Sequence, residues 1–127
     1  MMHSIKSFTD LIVWQKGHKF VLQIYRITKL FPKEEQFGLI SQLRRAAVGI
    51  TSTIAEGFSR STYKDKSRFY VIALGSLSEV QNQLLIARDI GYLSATEFKK
   101  LAEITIELSK LLNGLIKKTK QISFLQS

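Results

Sequence analysis

A single proline, Pro32, stands in a chain of 127 residues. Proline blocks the helix interior, so its scarcity leaves almost the whole sequence open to long uninterrupted helices. The glycines are scattered, and no run alternates apolar and polar residues between turn signals as a half-buried strand does. The fold class is read as all-α. Four segments carry it, at about 10–30, 34–58, 63–90 and 95–118, with short connections between them. They predict an antiparallel up-down four-helix bundle forming one domain over residues 1–127.

Local chemistry sets the expected boundaries. Thr9 or Asp10 is positioned to cap helix one, and Phe31-Pro32 to end it, since the residue before proline is pushed out of the helical region. Glu34 and Glu35 suit the positive end of helix two. Thr62 to Asp65 and Ser94 to Glu97 fit the capping-box pattern and open helices three and four, while Gly91 follows the end of helix three at Ile90. The tail beyond Lys118 is expected to fray or pack loosely.

Periodicity then assigns faces. In Gln36 to Gly57, Leu43, Ala47, Ile50 and Ile54 form one stripe, with Ser41, Arg45, Ser52, Glu56 and Ser59 on the opposite side. Helix four sets Phe98, Leu101, Thr105, Leu108, Leu112 and Leu115 against a solvated face rich in Lys and Glu. Helix one is broader. Leu11, Trp14, His18, Val21 and Tyr25 make the expected core stripe, while Val13, Phe20, Ile24, Ile27 and Phe31 widen the apolar arc to about half the circumference, beyond the ~100° one bundle requires. Self-association is the simplest way to bury that surplus, against the alternative of a deep core straddled by the neighbouring helices. The predicted oligomer interface is therefore Val13, Phe20, Ile24, Ile27 and Phe31, joined by Arg44, Arg45 and Glu56 as intersubunit ion-pairing groups. His18 is expected to be a core or interface histidine.

Several function classes are excluded or left without support. Without cysteine there are no disulfides or thiolate metal sites, and the two histidines lie in no metal-binding spacing. No catalytic residue, metal or cofactor is expected: no serine can be matched to a base, and Gly57-Phe58-Ser59-Arg60 lacks the ending of a phosphate loop. The opening MMHSIKSFTD has no secretory apolar core, and no apolar run approaches the ~20 residues of a membrane span. The expectation is a cytoplasmic protein without a membrane partner.

Charge points elsewhere. Nineteen Lys and Arg against ten Asp and Glu give +9, with a pI near 9.9. Such an excess suits a polyanion, although solubility alone also favours basic domains. Between Leu11 and Lys33 every charge is positive, and Lys16, Lys19, Arg26 and Lys29 share the one polar arc of helix one. Arg60, Lys64, Lys66 and Arg68 add a second set around the start of helix three. These eight are the candidate nucleic-acid-binding residues. Tyr63, Phe69 and Tyr70 interleave with the second set in a pattern compatible with base stacking, though aromatic residues at a helix start also serve cores.

DLIVWQKG at 10–17, LFPKEEQFGLISQLRRAAVGITSTIAEGFSR at 30–60, ALGSLSEVQNQLLIA at 73–87 and GYL at 91–93 together resemble the 23S rRNA intervening sequence proteins. That resemblance implies a four-helix bundle assembling into a ring-shaped homopentamer, in bacteria, with no established enzymatic activity. A related branch, the accessory proteins of diversity-generating retroelements, has a basic surface and binds reverse transcriptase and nucleic acid. Where the family commonly reads alanine-valine-serine-isoleucine-proline-serine-asparagine, this chain has Ala47 to Thr53 as AVGITST. Gly49 in mid-helix costs ~1 kcal/mol against alanine, so a close helix approach is expected there, as at Gly17 on helix one. The function expected is a non-enzymatic basic bundle binding RNA or single-stranded nucleic acid non-specifically, or acting as an accessory to a nucleic-acid enzyme. The alternative is a protein-interaction module, or a gene-insertion passenger with no nucleic-acid role.

Overall fold

The computed structural model describes residues 4–126; His3, with the first residues of the amino-terminal stretch, lies outside them. Four helices carry the chain: α1 Ile12–Thr28, α2 Leu39–Phe58, α3 Tyr63–Asp89 and α4 Ala95–Gln126. Among the described residues there is no strand.

The helix starts show which capping signals act. Ser94 accepts from the Glu97 amide at 3.1 Å while Glu97 accepts from the Ser94 amide at 3.0 Å, a complete capping box opening α4. Thr62 caps α3 by accepting from the Asp65 amide at 3.1 Å. At the amino-terminal end the expectation is corrected. Ser7 and Asp10 close a capping box around the one-turn 3-10 segment Phe8–Asp10, and α1 begins after Leu11 with no side-chain cap. Helix two also begins later than expected. Lys33–Glu35 form a separate 3-10 turn after Pro32, and Gly38 breaks the path before Leu39. Glu35 still serves α2, because its Oε1 accepts the Leu39 amide at 3.2 Å. The tail expected to fray instead continues α4 as helix to Gln126, with Ile116 and Thr119 buried.

Neighbouring helices run antiparallel, and cross-helix contacts fix the register. Gly17 meets Thr51 where Thr28 meets Arg44; Gly49 meets Ser76 where Gly57 meets Tyr70; Gln81 meets Thr105 where Arg88 meets Phe98. α4 returns alongside α1, with Lys16 against Glu107. Each helix thus touches the next along the chain, and α1 and α4 close the square.

The glycine approaches expected from sequence are present. A Cβ on Gly17 would stand 3.1 Å from Thr51 Cγ2, and one on Gly49 3.1 Å from Ser76 Oγ. Gly57 is tighter still, at 2.8 Å from Tyr70 Cε1 and 2.9 Å from Phe69 Cβ. Buried threonines settle their hydroxyls locally: Thr28 donates to the Ile24 carbonyl at 2.6 Å and Thr119 to that of Leu115 at 2.6 Å.

The core overturns the interface expected on helix one. Phe20 and Ile24 are 0% exposed, and Val13 and Phe31 are buried, all within this one chain. Ile27 is half-buried and packs on the same cluster. The apolar arc is wide because α1 is flanked by α2 on one side and α4 on the other, so Val13, Phe20, Ile24 and Phe31 belong to the core of this one bundle, while Ile27 keeps a partly exposed edge on a groove. The stripe expected to be core turns outward in part, with Tyr25 and His18 exposed. His18 stacks flat on Trp14, ring centroids 4.8 Å apart, rather than lying in the core.

Candidate nucleic-acid interface

The candidate cations fall into two groups with different surroundings. On α1 and at its C-cap, Lys19, Arg26 and Lys29 are exposed on the face turned away from the core, none of them within ion-pair distance of a carboxylate among the described residues. Between Lys16 and Lys29 that face spans ~20 Å at the helical rise, running along the bundle. Lys16 departs from the track. Its Nζ lies 2.6 Å from Glu107 Oε1 on α4, which offsets its charge. Arg26 also borders a groove of about 610 Å³ that includes Glu97, Glu103 and Glu107. The acid-free arc is thus a property of α1 alone, and α4 supplies carboxylates along one edge.

Around the α2–α3 connection the second group is more heavily used by the fold. Lys66 donates to the Phe58 carbonyl at the end of α2, beside the Phe58 ring at 5.1 Å. An ammonium in that position satisfies an orphan carbonyl and the negative end of a helix. Burial lowers the Lys66 pKa from its ordinary value. This residue therefore caps a helix rather than waiting for a phosphate. Arg60 and Arg68 lie 4.3 and 5.3 Å from the Phe69 ring centroid, so that aromatic is covered by guanidinium groups and not open to a base. Arg60 also approaches Glu56 at 4.0 Å and Arg68 approaches Asp65 at 3.5 Å, both at exposed positions where such pairs contribute little. Tyr70 is buried, and Tyr63 faces Lys66. Lys64 is exposed with no acidic partner among the described residues.

Two of the three ion-pairing candidates for an interface have intrachain roles. Arg44 Nε donates to Thr28 Oγ1 at 2.9 Å, and its guanidinium stacks on Tyr25 at 4.5 Å, tying α2 to the end of α1. Arg44 has no carboxylate partner among the described residues, so its intrachain role is to join two helices rather than to form an ion pair. Glu56 turns to Arg60 within its own chain, while Arg45 is exposed and unpaired among the described residues.

Sequence reasoning missed two features. Lys120 on α4 stands beside Lys64 and Arg68, because the helix expected to fray carries on past it. The outward face of α3 is the second. Val71, Ile72, Leu85 and Ile86 are exposed there, with Ile90 just beyond, and Glu79 is the one charge between Arg68 and Arg88. Among the described residues no group of three or more His, Cys, Asp or Glu could hold a metal ion, and no helix is long and apolar enough to cross a membrane.

Four antiparallel helices with a largely unpaired basic surface define the class: a basic four-helix bundle protein. The family model for the 23S rRNA-intervening sequence protein matches residues 9–114, and the chain belongs to that family. Among solved structures, the fold is similar to that of a protein of unknown function from the S23 ribosomal protein family of Bacteroides thetaiotaomicron. The two share 23% identity and a TM-score of 0.78 over 84% of this chain and 96% of that one. No curated protein matches the chain.

Proposed function

We propose that this protein is a non-enzymatic basic bundle that binds RNA or single-stranded nucleic acid through charge, as a homopentameric ring, alone or as an accessory to a nucleic-acid enzyme such as a reverse transcriptase. The observation that carries the reading is the surplus of free cations. Of nineteen Lys and Arg, four lie within ion-pair distance of a carboxylate among the described residues. Lys19, Arg26 and Lys29 line one outward face with no carboxylate within ion-pair distance among the described residues, the acids of α4 lying along one edge of it. Contacts of this kind position a phosphate backbone without reading bases, and their strength falls steeply with salt.

Self-association is supported by the α3 face rather than by helix one. A partly apolar helix surface that carries a single charge, Glu79, is ordinarily covered, and a second copy of the same chain is the occupant proposed. Arg45 and Glu79 are exposed groups of opposite sign with no partner among the described residues, and they suit an intersubunit pair at that contact.

The test is light scattering of the purified protein read at 260 and 280 nm, at low and high salt. A mass near five chains with co-eluting nucleic acid, stripped by salt, supports the whole reading. Changing Lys19, Arg26 and Lys29 together to glutamine should make the salt dependence of RNA binding shallower; an unchanged slope removes the α1 face from the site. A clean ring without nucleic acid turns the reading to a protein partner.

A further inference from the structure

Where α2 gives way to α3, the last turns of α4 close one side of a groove of about 620 Å³. Three cations line it: Lys64 and Arg68 from α3 and Lys120 from α4. Lys64 and Lys120 have no carboxylate partner among the described residues, and Arg68 shares Asp65, the one acid of the groove. The balance is two net positive charges in one concavity. Thr62 and Ser123 add hydroxyls at the same place.

The groove also contains the start of α3, a helix of 27 residues. Its first amides have no acceptor within the helix, and Thr62 satisfies that of Asp65 alone among them. A helix start with free amides favours an anion. A second observation points the same way. Ser67 lines this groove, is 5% exposed, and its Oγ is buried with no hydrogen-bond partner. Serine and threonine inside helices ordinarily return the hydroxyl to a carbonyl three or four residues back, as Thr28, Thr105 and Thr119 do here. Ser67 does not, and a buried hydroxyl left unpaired is costly.

We infer that this groove binds a phosphate group, held by Lys64, Arg68 and Lys120 with the Ser67 hydroxyl as a further donor. A tetrahedral oxyanion suits donors that converge from two helices, whereas a carboxylate presents two oxygens in one plane. The phosphodiester of a bound nucleic acid is the source under the function proposed above, and the inference rests on that reading for the source alone. Free inorganic phosphate presents the same chemistry.

The test uses the full chain with two probes, inorganic phosphate followed by amide NMR and a single-stranded RNA without terminal phosphate followed by fluorescence anisotropy. Phosphate should give saturable shifts at Tyr63 to Ser67, abolished by K64Q/R68Q/K120Q and weakened several-fold by S67A. The triple variant should also lower the salt slope of RNA binding by about 2, at ~0.7 for each single-strand phosphate no longer neutralised, while K99Q/K100Q at the start of α4 leaves the Tyr63 to Ser67 phosphate shifts intact. RNA binding with an unchanged slope in the triple variant, and no saturable phosphate shift, overturns the groove and leaves charge-driven binding standing. Saturable phosphate shifts without RNA binding sustain the groove and overturn the nucleic-acid source. If S67A changes stability but not phosphate affinity, Ser67 is structural and its part in the inference fails.

Discussion

The Tyr92 hydroxyl donates a 2.8 Å hydrogen bond to Glu35 Oε2, joining the α1–α2 connection to the α3–α4 connection. The other oxygen of Glu35 accepts the first amide of α2, and the Tyr92 ring lies 5.3 Å from that of Phe31. One carboxylate thus holds two connections and a helix start in place. Tyr92→Phe and Glu35→Ala should each lower Tm, and the double variant should fall by less than the sum. Thermal unfolding of the four proteins checks this coupling, and strict additivity would remove it.

Alkaline pH should destabilise the fold. Burial, with Tyr63 as a lesser contributor, pushes the Tyr70 pKa from 10.0 up to about 12. Donation to Glu35, then desolvation and the charges of Glu35 and Glu34, raise that of Tyr92. Folding therefore favours the neutral phenols. Their contribution is complete below pH 10, the ordinary tyrosine value, and is lost as pH rises through the raised one, near 12 for Tyr70. Denaturation midpoints from pH 8 to 12 should decline above about 10, less steeply in Tyr70→Phe.

Gly57 and Gly75 should respond oppositely to alanine. A methyl at Gly57 meets the Tyr70 ring at 2.8 Å and Phe69 Cβ at 2.9 Å, so Gly57→Ala should cost about 1–3 kcal/mol through overpacking. At Gly75 nothing stands within 4 Å, so Gly75→Ala should gain up to ~1 kcal/mol of helix propensity. Urea denaturation of the two variants decides the matter.

Assembly should depend on α3. Ile86→Glu, at an exposed position, should shift the light-scattering mass toward the 14.5 kDa monomer without loss of helix content by circular dichroism. Glu79→Arg should weaken assembly and Arg45→Glu should restore it. A ring that survives Ile86→Glu would place the subunit contact on another face.

Much of the fold is legible in the sequence because it is local. Thr62 with Asp65, and Ser94 with Glu97, lie three residues apart, so their capping can be read from spacing. What spacing misses is non-local. Periodicity finds the apolar arc of α1 but not which neighbours cover it, so Phe20 and Ile24 read as a subunit contact when they are core. Alternating steps of three and four from Leu11 sweep in His18 and Tyr25, whose polar atoms keep them at the surface. Lys16 reads as free because Glu107 is 91 residues away. In the candidate site, a lysine capping a helix and a lysine facing solvent read alike, and Lys66 and Lys64 differ only once the end of α2 is in place.

The two ends of the bundle are chemically unlike. Arg60, Lys64, Arg68, Lys117, Lys118 and Lys120 outnumber Glu56 and Asp65 where α3 starts and α4 finishes, whereas Glu34, Glu35 and Glu97 share the opposite end with their lysines. In the proposed ring, a rod with unlike tips repeated about an axis along its length would give one strongly positive rim and one mixed rim. Such a ring has a top and a bottom. A strand drawn by charge would approach it from one side, and two rings would resist stacking through their like rims, leaving the other side free for a different neighbour.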